Sequence, residues 1–138
     1  MSPQRPGAAT RNRFSGVLLA VVVAGCAPGV QTIDPDVLEG YITEGKAGTS
    51  FVLVDLREPE SYRRSHLPGA RNVPYADLPS DPTLFRDGRP VIFYDEDEPD
   101  AARIDRALGD RLPDHIVVLA GGFNAWRAAG RPLEEGAS

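Results

Sequence analysis

Apolar and polar residues alternate along the chain in blocks of two lengths. Phe51-Val-Leu-Val54, Val91-Ile-Phe-Tyr94 and His115-Ile-Val-Val-Leu119 each hold an unbroken apolar run of strand length. Such runs mark strands covered on both faces, as in parallel sheets. Between them apolar positions recur at helical spacing. Asp34-Pro35 opens a helix carrying Val37, Leu38, Tyr41 and Ile42, closed by Gly45. Asp can cap such a helix, and Pro is tolerated in its first turn. Glu58-Pro59 opens a short helix through about Arg63, and Ala70–Val73 reads as a short strand. Glu98-Pro99 opens a helix with Ala102, Ile104, Ala107 and Leu108. Gly121-Gly122 leads into a last helix with Phe123, Trp126 and Ala129, stopped by Gly130. Trp126 lies three residues after Phe123, on one helical face, and reads as core. Strands alternating with helices predict a parallel α/β sheet with helices on both faces. In such sheets ligands sit beyond the carboxyl ends of the strands. That rule points to Asp55-Leu56-Arg57, to Asp95 onward and to Ala120-Gly121-Gly122.

The first block differs from the rest. Val17–Ala24 is an apolar run with no polar face, preceded by a polar, basic stretch with Arg11 and Arg13. Its length, about eight residues, falls short of the roughly 20 that span a bilayer. A basic start, a short apolar core and small residues before a cut describe an export signal. Val23-Ala24-Gly25-Cys26 resembles the lipobox of bacterial lipoproteins. The resemblance implies cleavage before Cys26 and its acylation with palmitate-type chains, and two or three chains anchor firmly. The expected organisation is a signal peptide over 1–25, a lipidated tether over 26–30 and one domain over 31–135. The expected location is a bacterial membrane surface, at the outer membrane or the periplasmic face if there are two membranes. Ala27 rather than Asp after the cysteine favours outer-membrane delivery.

Composition narrows the options. The chain has 138 residues, 41% hydrophobic and 25% charged, which suits one ordinary domain. Its net charge of −5 hides an asymmetry: after the three arginines of the first 25 residues, 12 basic residues face 20 acidic ones. So acidic a body is unsuited to nucleic acid, whose phosphates need clustered cations. Cys26 is the single cysteine, which excludes an intrachain disulfide and a multi-cysteine metal site.

Three motifs, in order, carry a family resemblance. Val52-Leu-Val-Asp-Leu-Arg-Glu-Pro-Glu-Ser-Tyr62, Ser65-His-Leu-Pro-Gly-Ala-Arg-Asn-Val-Pro74 and Val117-Val-Leu-Ala-Gly-Gly-Phe-Asn-Ala-Trp-Arg-Ala-Ala-Gly-Arg-Pro132 resemble the signatures of rhodanese-like domains. The resemblance spans about Ile33 to Leu133. It implies a three-layer α/β fold with a five-stranded, mostly parallel sheet and helices on both faces. In active members the strand matching Val91–Tyr94 ends in a cysteine that becomes a persulfide and passes the sulfur on. The loop after it cradles an anionic donor with backbone N–H groups.

Here the nucleophile position is Asp95, and the loop reads Asp95-Glu96-Asp97-Glu98-Pro99-Asp100. A carboxylate cannot carry a persulfide, and Cys26 is committed to the lipobox. Five carboxylates in six residues repel an anionic donor. Pro99 removes one N–H. The expectation is therefore an inactive site whose surroundings keep a shaping role: Asp55 and Arg57 bonded to each other or to the backbone, His66 bridging the turn at Leu67-Pro68-Gly69, and Gly121-Gly122 allowing close backbone approach. His115 is expected at an exposed strand start. For the acids, the simplest use is capping of the next helix by Asp97 or Glu98, with Asp100 complementing its dipole. A divalent-cation loop fits poorly, because Pro99 stands where an EF-hand has a ligand and no glycine follows. A phosphotransferase-like Asp-x-Asp at 95–97 lacks the downstream lysine, since Lys46 is the single lysine. A docking surface for a basic partner fits the body's charge. No metal or cofactor is expected. The functional expectation is a monomeric, membrane-anchored binding or regulatory module. The alternative is a sulfurtransferase-related or repurposed enzyme using the acidic loop.

Overall fold

A computed structural model describes residues 30–80, 84–85, 88–109 and 116–136. Cys26, the export signal and His115 lie outside the described residues. Strands β1 (Val30–Ile33), β2 (Val52–Asp55), β3 (Arg71–Asn72), β4 (Val91–Tyr94) and β5 (Ile116–Leu119) form one sheet in the order β1-β5-β4-β2-β3. Every pairing is parallel. Helices α1 (Pro35–Thr43), α2 (Pro59–Arg64), α3 (Ala101–Leu108) and α4 (Gly122–Ala128) connect the strands, with a 3-10 helix at Tyr75–Ser80 after β3.

The continuous apolar runs are explained by the two covered faces. Leu53, Ile92, Tyr94, Val117 and Leu119 point to one side, where Leu38 of α1, Tyr62 of α2, and Phe123 and Trp126 of α4 cover them. Val52, Val54, Val91, Phe93, Ile116 and Val118 point to the other, under Leu78 of the 3-10 helix and Ile104 and Leu108 of α3. Period-two geometry splits each run into two half-sets, one per core. Trp126 is fully buried, and its indole N–H donates to the Pro132 carbonyl at 2.8 Å.

Several boundaries differ from the sequence expectation. The apolar pattern does not predict strand β1, because Val30-Gln-Thr-Ile33 mixes polar and apolar residues at the sheet edge. The second strand starts at Val52, not Phe51, which makes an isolated bridge with Ala47. Strand β3 keeps two of the four expected residues. Helix α3 begins three residues after Glu98, because Asp100 is its cap: the Asp100 carboxylate accepts the Ala102 N–H at 2.9 Å. Pro99 is buried just ahead of that cap.

The strand order creates one switch point. The chain passes from β2 outward to β3 and then returns to place β4 on the other side of β2. A crevice at the carboxyl ends of β2 and β4 follows from that reversal. Asp55 and Tyr94 are register partners at its floor.

Candidate functional site

The floor of the crevice is a buried ionic cluster. Asp55 ends β2 and is fully buried. The chain turns after Leu56, and Arg57 folds back onto the carboxylate. Its backbone N–H and Nε donate to Asp55 Oδ1 at 2.9 and 3.0 Å, and Nη2 donates to Oδ2 at 2.8 Å. The Tyr94 hydroxyl donates to the same Oδ2 at 2.6 Å and accepts the Leu67 N–H at 3.1 Å. Arg57 Nη2 also donates to the Ser65 carbonyl at 2.6 Å, and the guanidinium carbon stands 3.9 Å from the Phe123 ring centre. Nη1 is 3.7 Å from the Glu96 carboxylate. Asn72 ties the turn, its amide donating to the carbonyls of Asp55 and Arg57 at 3.0 and 2.9 Å.

Charge and burial compete at each member. Burial works to lower the Arg57 pKa, but the hydrogen bonds and charge of Asp55, with Tyr94 and Glu96, outweigh it and raise it. Burial raises the Tyr94 hydroxyl far above its ordinary value, and the Asp55 charge adds to the rise. Tyr94 is therefore a fixed donor and Arg57 a fixed cation. The guanidinium is engaged on several sides within the protein rather than held open for a ligand.

The acidic loop forms the rim between β4 and α3. Its carbonyls and carboxylates, rather than its N–H groups, face the start of α4. The Asp95 and Glu96 carbonyls accept the N–H groups of Phe123 and Asn124 at 2.9 and 2.8 Å. Asp97 accepts the Asn124 side-chain amide at 3.2 Å, and Glu98 accepts the Gly121 N–H at 3.2 Å. Asp95 Oδ1 accepts the N–H of Glu96 at 2.7 Å, which occupies one of the loop's own donors. The capping role expected of Asp97 or Glu98 thus belongs to Asp100, and those two residues instead join the loop to α4. Gly121 and Gly122 have φ of 77° and 66°. A Cβ on Gly122 would overlap the Asp97 backbone, so the seam needs glycine there for both conformation and space.

Asp95 is half-buried, and its charge acts on the Tyr75 hydroxyl of the 3-10 helix. Burial first, then the Asp95 charge, raises the Tyr75 pKa, so the hydroxyl keeps its proton. Arg103 of α3 lies over the Tyr75 ring at 3.7 Å. Among the described residues no group of three or more His, Cys, Asp or Glu is placed to hold a metal ion.

The structure brings Asp55, Arg57, the 95–100 loop, Gly121 and Gly122 together at the strand ends. His66 is turned elsewhere. It is 1% exposed, its Nδ1 donates to the Tyr62 carbonyl at 2.8 Å, and its ring stacks on Tyr62. The turn-bridging role expected of it is replaced by a bond back into α2. Sequence reasoning missed Tyr94, Asn72 and Tyr75 as polar members of the site. Tyr94 carried a signal, a hydroxyl ending an otherwise apolar strand; Asn72 and Tyr75 are placed by packing.

The profile of the Rhodanese-like domain family matches residues 34–129. The chain belongs to the rhodanese-like domain family. Its fold agrees with that of several solved structures. A rhodanese-like domain from Anabaena sp. is 25% identical, with a TM-score of 0.60 and 80% of each chain covered. The BH2092 protein of Bacillus halodurans is 20% identical, with a TM-score of 0.61, over 95% of this chain and 87% of that one. A thiosulfate sulfurtransferase of Pseudomonas aeruginosa shares the fold at 23% identity and a TM-score of 0.61, over 78% of this chain and 20% of that one. By sequence, an HTH-type transcriptional regulator of Mycobacterium tuberculosis is 30% identical over 124 residues, 86% of this chain and 53% of that protein. The chain thus spans about half the length of that relative, and 59% of the YqhL protein of Bacillus subtilis, at 32% identity over 74 residues. With that sulfurtransferase the chain shares the fold.

Proposed function

We propose that this rhodanese-like domain does not transfer sulfur and serves as a binding or regulatory module of the cell envelope, held to a membrane through lipid on Cys26. One observation carries the reading: the residue that follows β4 at the crevice is Asp95, a carboxylate that already accepts the Glu96 N–H. Sulfur transfer by this fold needs a thiolate that attacks the outer sulfur of the donor and forms an S–S bond. A carboxylate oxygen cannot make that bond. The surrounding field opposes an anionic donor as well, since Glu96, Asp97, Glu98 and Asp100 are exposed on the same rim. The N–H groups of Gly121, Phe123 and Asn124, at the start of α4, are taken by loop oxygens. The regulatory reading draws further support from the relative named as a transcriptional regulator.

A thiosulfate-to-cyanide sulfurtransferase assay on the full chain tests the proposal. Wild-type protein should show no turnover, and Asp95→Cys alone should stay inactive, because four neighbouring carboxylates disfavour the thiolate. Replacement of 95–100 by a loop with cysteine, a basic residue and glycines should restore measurable activity. Turnover by the wild type would overturn the reading. Equal rescue by Asp95→Cys and by the loop graft would show that the acids are no obstacle.

A further inference from the structure

The last described segment, residues 131–136, runs as a strap across the face that carries α1 and α2. Arg131 pairs with Asp36 and Glu39 of α1 at 2.7 Å each. The Pro132 carbonyl accepts the Trp126 indole N–H, and Leu133 packs on the core. Glu134 then forms an antiparallel bridge with His66, each backbone N–H donating to the other's carbonyl at 2.8 Å. The Gly136 N–H donates to the Arg63 carbonyl of α2 at 2.7 Å.

One atom at this crossing is unsatisfied. His66 Nδ1 faces a carbonyl, which only accepts, so Nδ1 carries its hydrogen and the neutral ring leaves Nε2 as a bare acceptor. Nε2 is buried and has no hydrogen-bond partner among the described residues. The nearest charged group is a carboxylate, Glu134 Oε1, at 3.7 Å. That oxygen is aimed into the turn by the Gly69 N–H at 3.3 Å. An acceptor thus faces an acceptor, with a gap about 1 Å longer than a charge-assisted hydrogen bond. The Glu134 side chain is half-exposed.

We propose that His66 and Glu134 form a proton-operated latch. A proton taken from solvent by Nε2 turns it into a donor to the Glu134 carboxylate and clamps the strap onto α2 and the turn at 67–69. The other charged and titratable groups around the ring are accounted for. Tyr62 stacks on it. Arg63 and Arg64 of α2 and Glu135 of the strap are exposed. Asp55 and Arg57 are bonded to each other and reach this turn through the Ser65 carbonyl. Tyr94 reaches it through the Leu67 N–H. The residues on either side of His66 therefore hold the floor of the crevice, so the latch tightens the support of the site as well as the strap.

Amide exchange on the full chain reads the latch directly. Protection factors at Glu134 and Gly136, corrected for intrinsic rates and referred to Ile92 in the sheet, are followed as pH falls across the range in which imidazoles charge, about pH 8 to 5. In wild type they should rise by about two- to fivefold, the shift in equilibrium expected of a partly exposed ion pair. In Glu134→Gln, which alters a half-exposed side chain and leaves the fold intact, they should not change with pH. Long-range nitrogen–proton spectra of His66 should show Nε2 gaining its proton over the same range as the protection rises. A flat wild-type profile would overturn the proposal. So would the same pH dependence in Glu134→Gln, or protection that rises while Nε2 stays unprotonated.

Discussion

Asp55 illustrates how one buried carboxylate organises the crevice. It accepts from Arg57 and Tyr94, and its backbone carbonyl accepts from Asn72 and the Val73 N–H. Two fully desolvated charges are tolerated because their hydrogen-bonding groups are so largely satisfied, and removing one partner strands the other. Asp55→Asn should therefore destabilise the fold by about 3–5 kcal/mol, the range for a broken buried pair, read as the urea unfolding midpoint. A loss no larger than that of a surface substitution would mean that water reaches Arg57. The Arg57 charge is neutralised inside the protein, by the Asp55 carboxylate.

At the level of elements, the decisive feature is the seam between the 95–100 loop and α4. Seven-residue α4 has its first amides bonded by loop carbonyls and by Glu98, so the loop acts as the helix's cap. Gly122 makes the seam possible by leaving room for the Asp97 backbone at a positive φ. Gly122→Ala should cost at least about 1–3 kcal/mol from the left-handed conformation, with steric overlap added. Gly40→Ala is the matching control. Gly40 is exposed inside α1 with nothing within 4 Å of a new Cβ. That change should stabilise the protein by roughly 0.5–1 kcal/mol through helix propensity. Unfolding midpoints that move the same way for both variants would contradict the seam.

The whole molecule pairs an acidic domain with a basic amino-terminal stretch. The proposed anchor at Cys26 puts that domain close to a membrane surface, with the acidic rim as its most charged feature. In a bacterial host the wild-type full chain should fractionate with membranes and enter the detergent phase. Cys26→Ser should fail to acquire acyl mass and should leave that phase. Retention of the substituted protein with acyl mass on another residue would refute the lipobox reading. Membrane association without any acylation would point to the Val17–Ala24 run as the anchor instead.

Much of this architecture was legible in the chain because local rules govern it. Strands β2, β4 and β5 are apolar at successive positions, which only a two-sided burial explains, and helices α1 and α2 announce themselves with an acid followed by Pro. Asp95 at the end of β4 was equally legible, since strand ends are where such sheets place their chemistry. Other features depend on partners far away in sequence. Edge strand β1 exists because Val30–Ile33 pairs with Ile116–Leu119, over eighty positions on. Tyr94 became a hydrogen-bond donor because register sets it opposite Asp55. Asp100, not Asp97 or Glu98, caps α3 because α4 claims the other two acids. His66 meets Glu134 because the chain returns over α2 after its last helix. Local sequence states what each segment can form; long-range packing chooses which donor meets which acceptor.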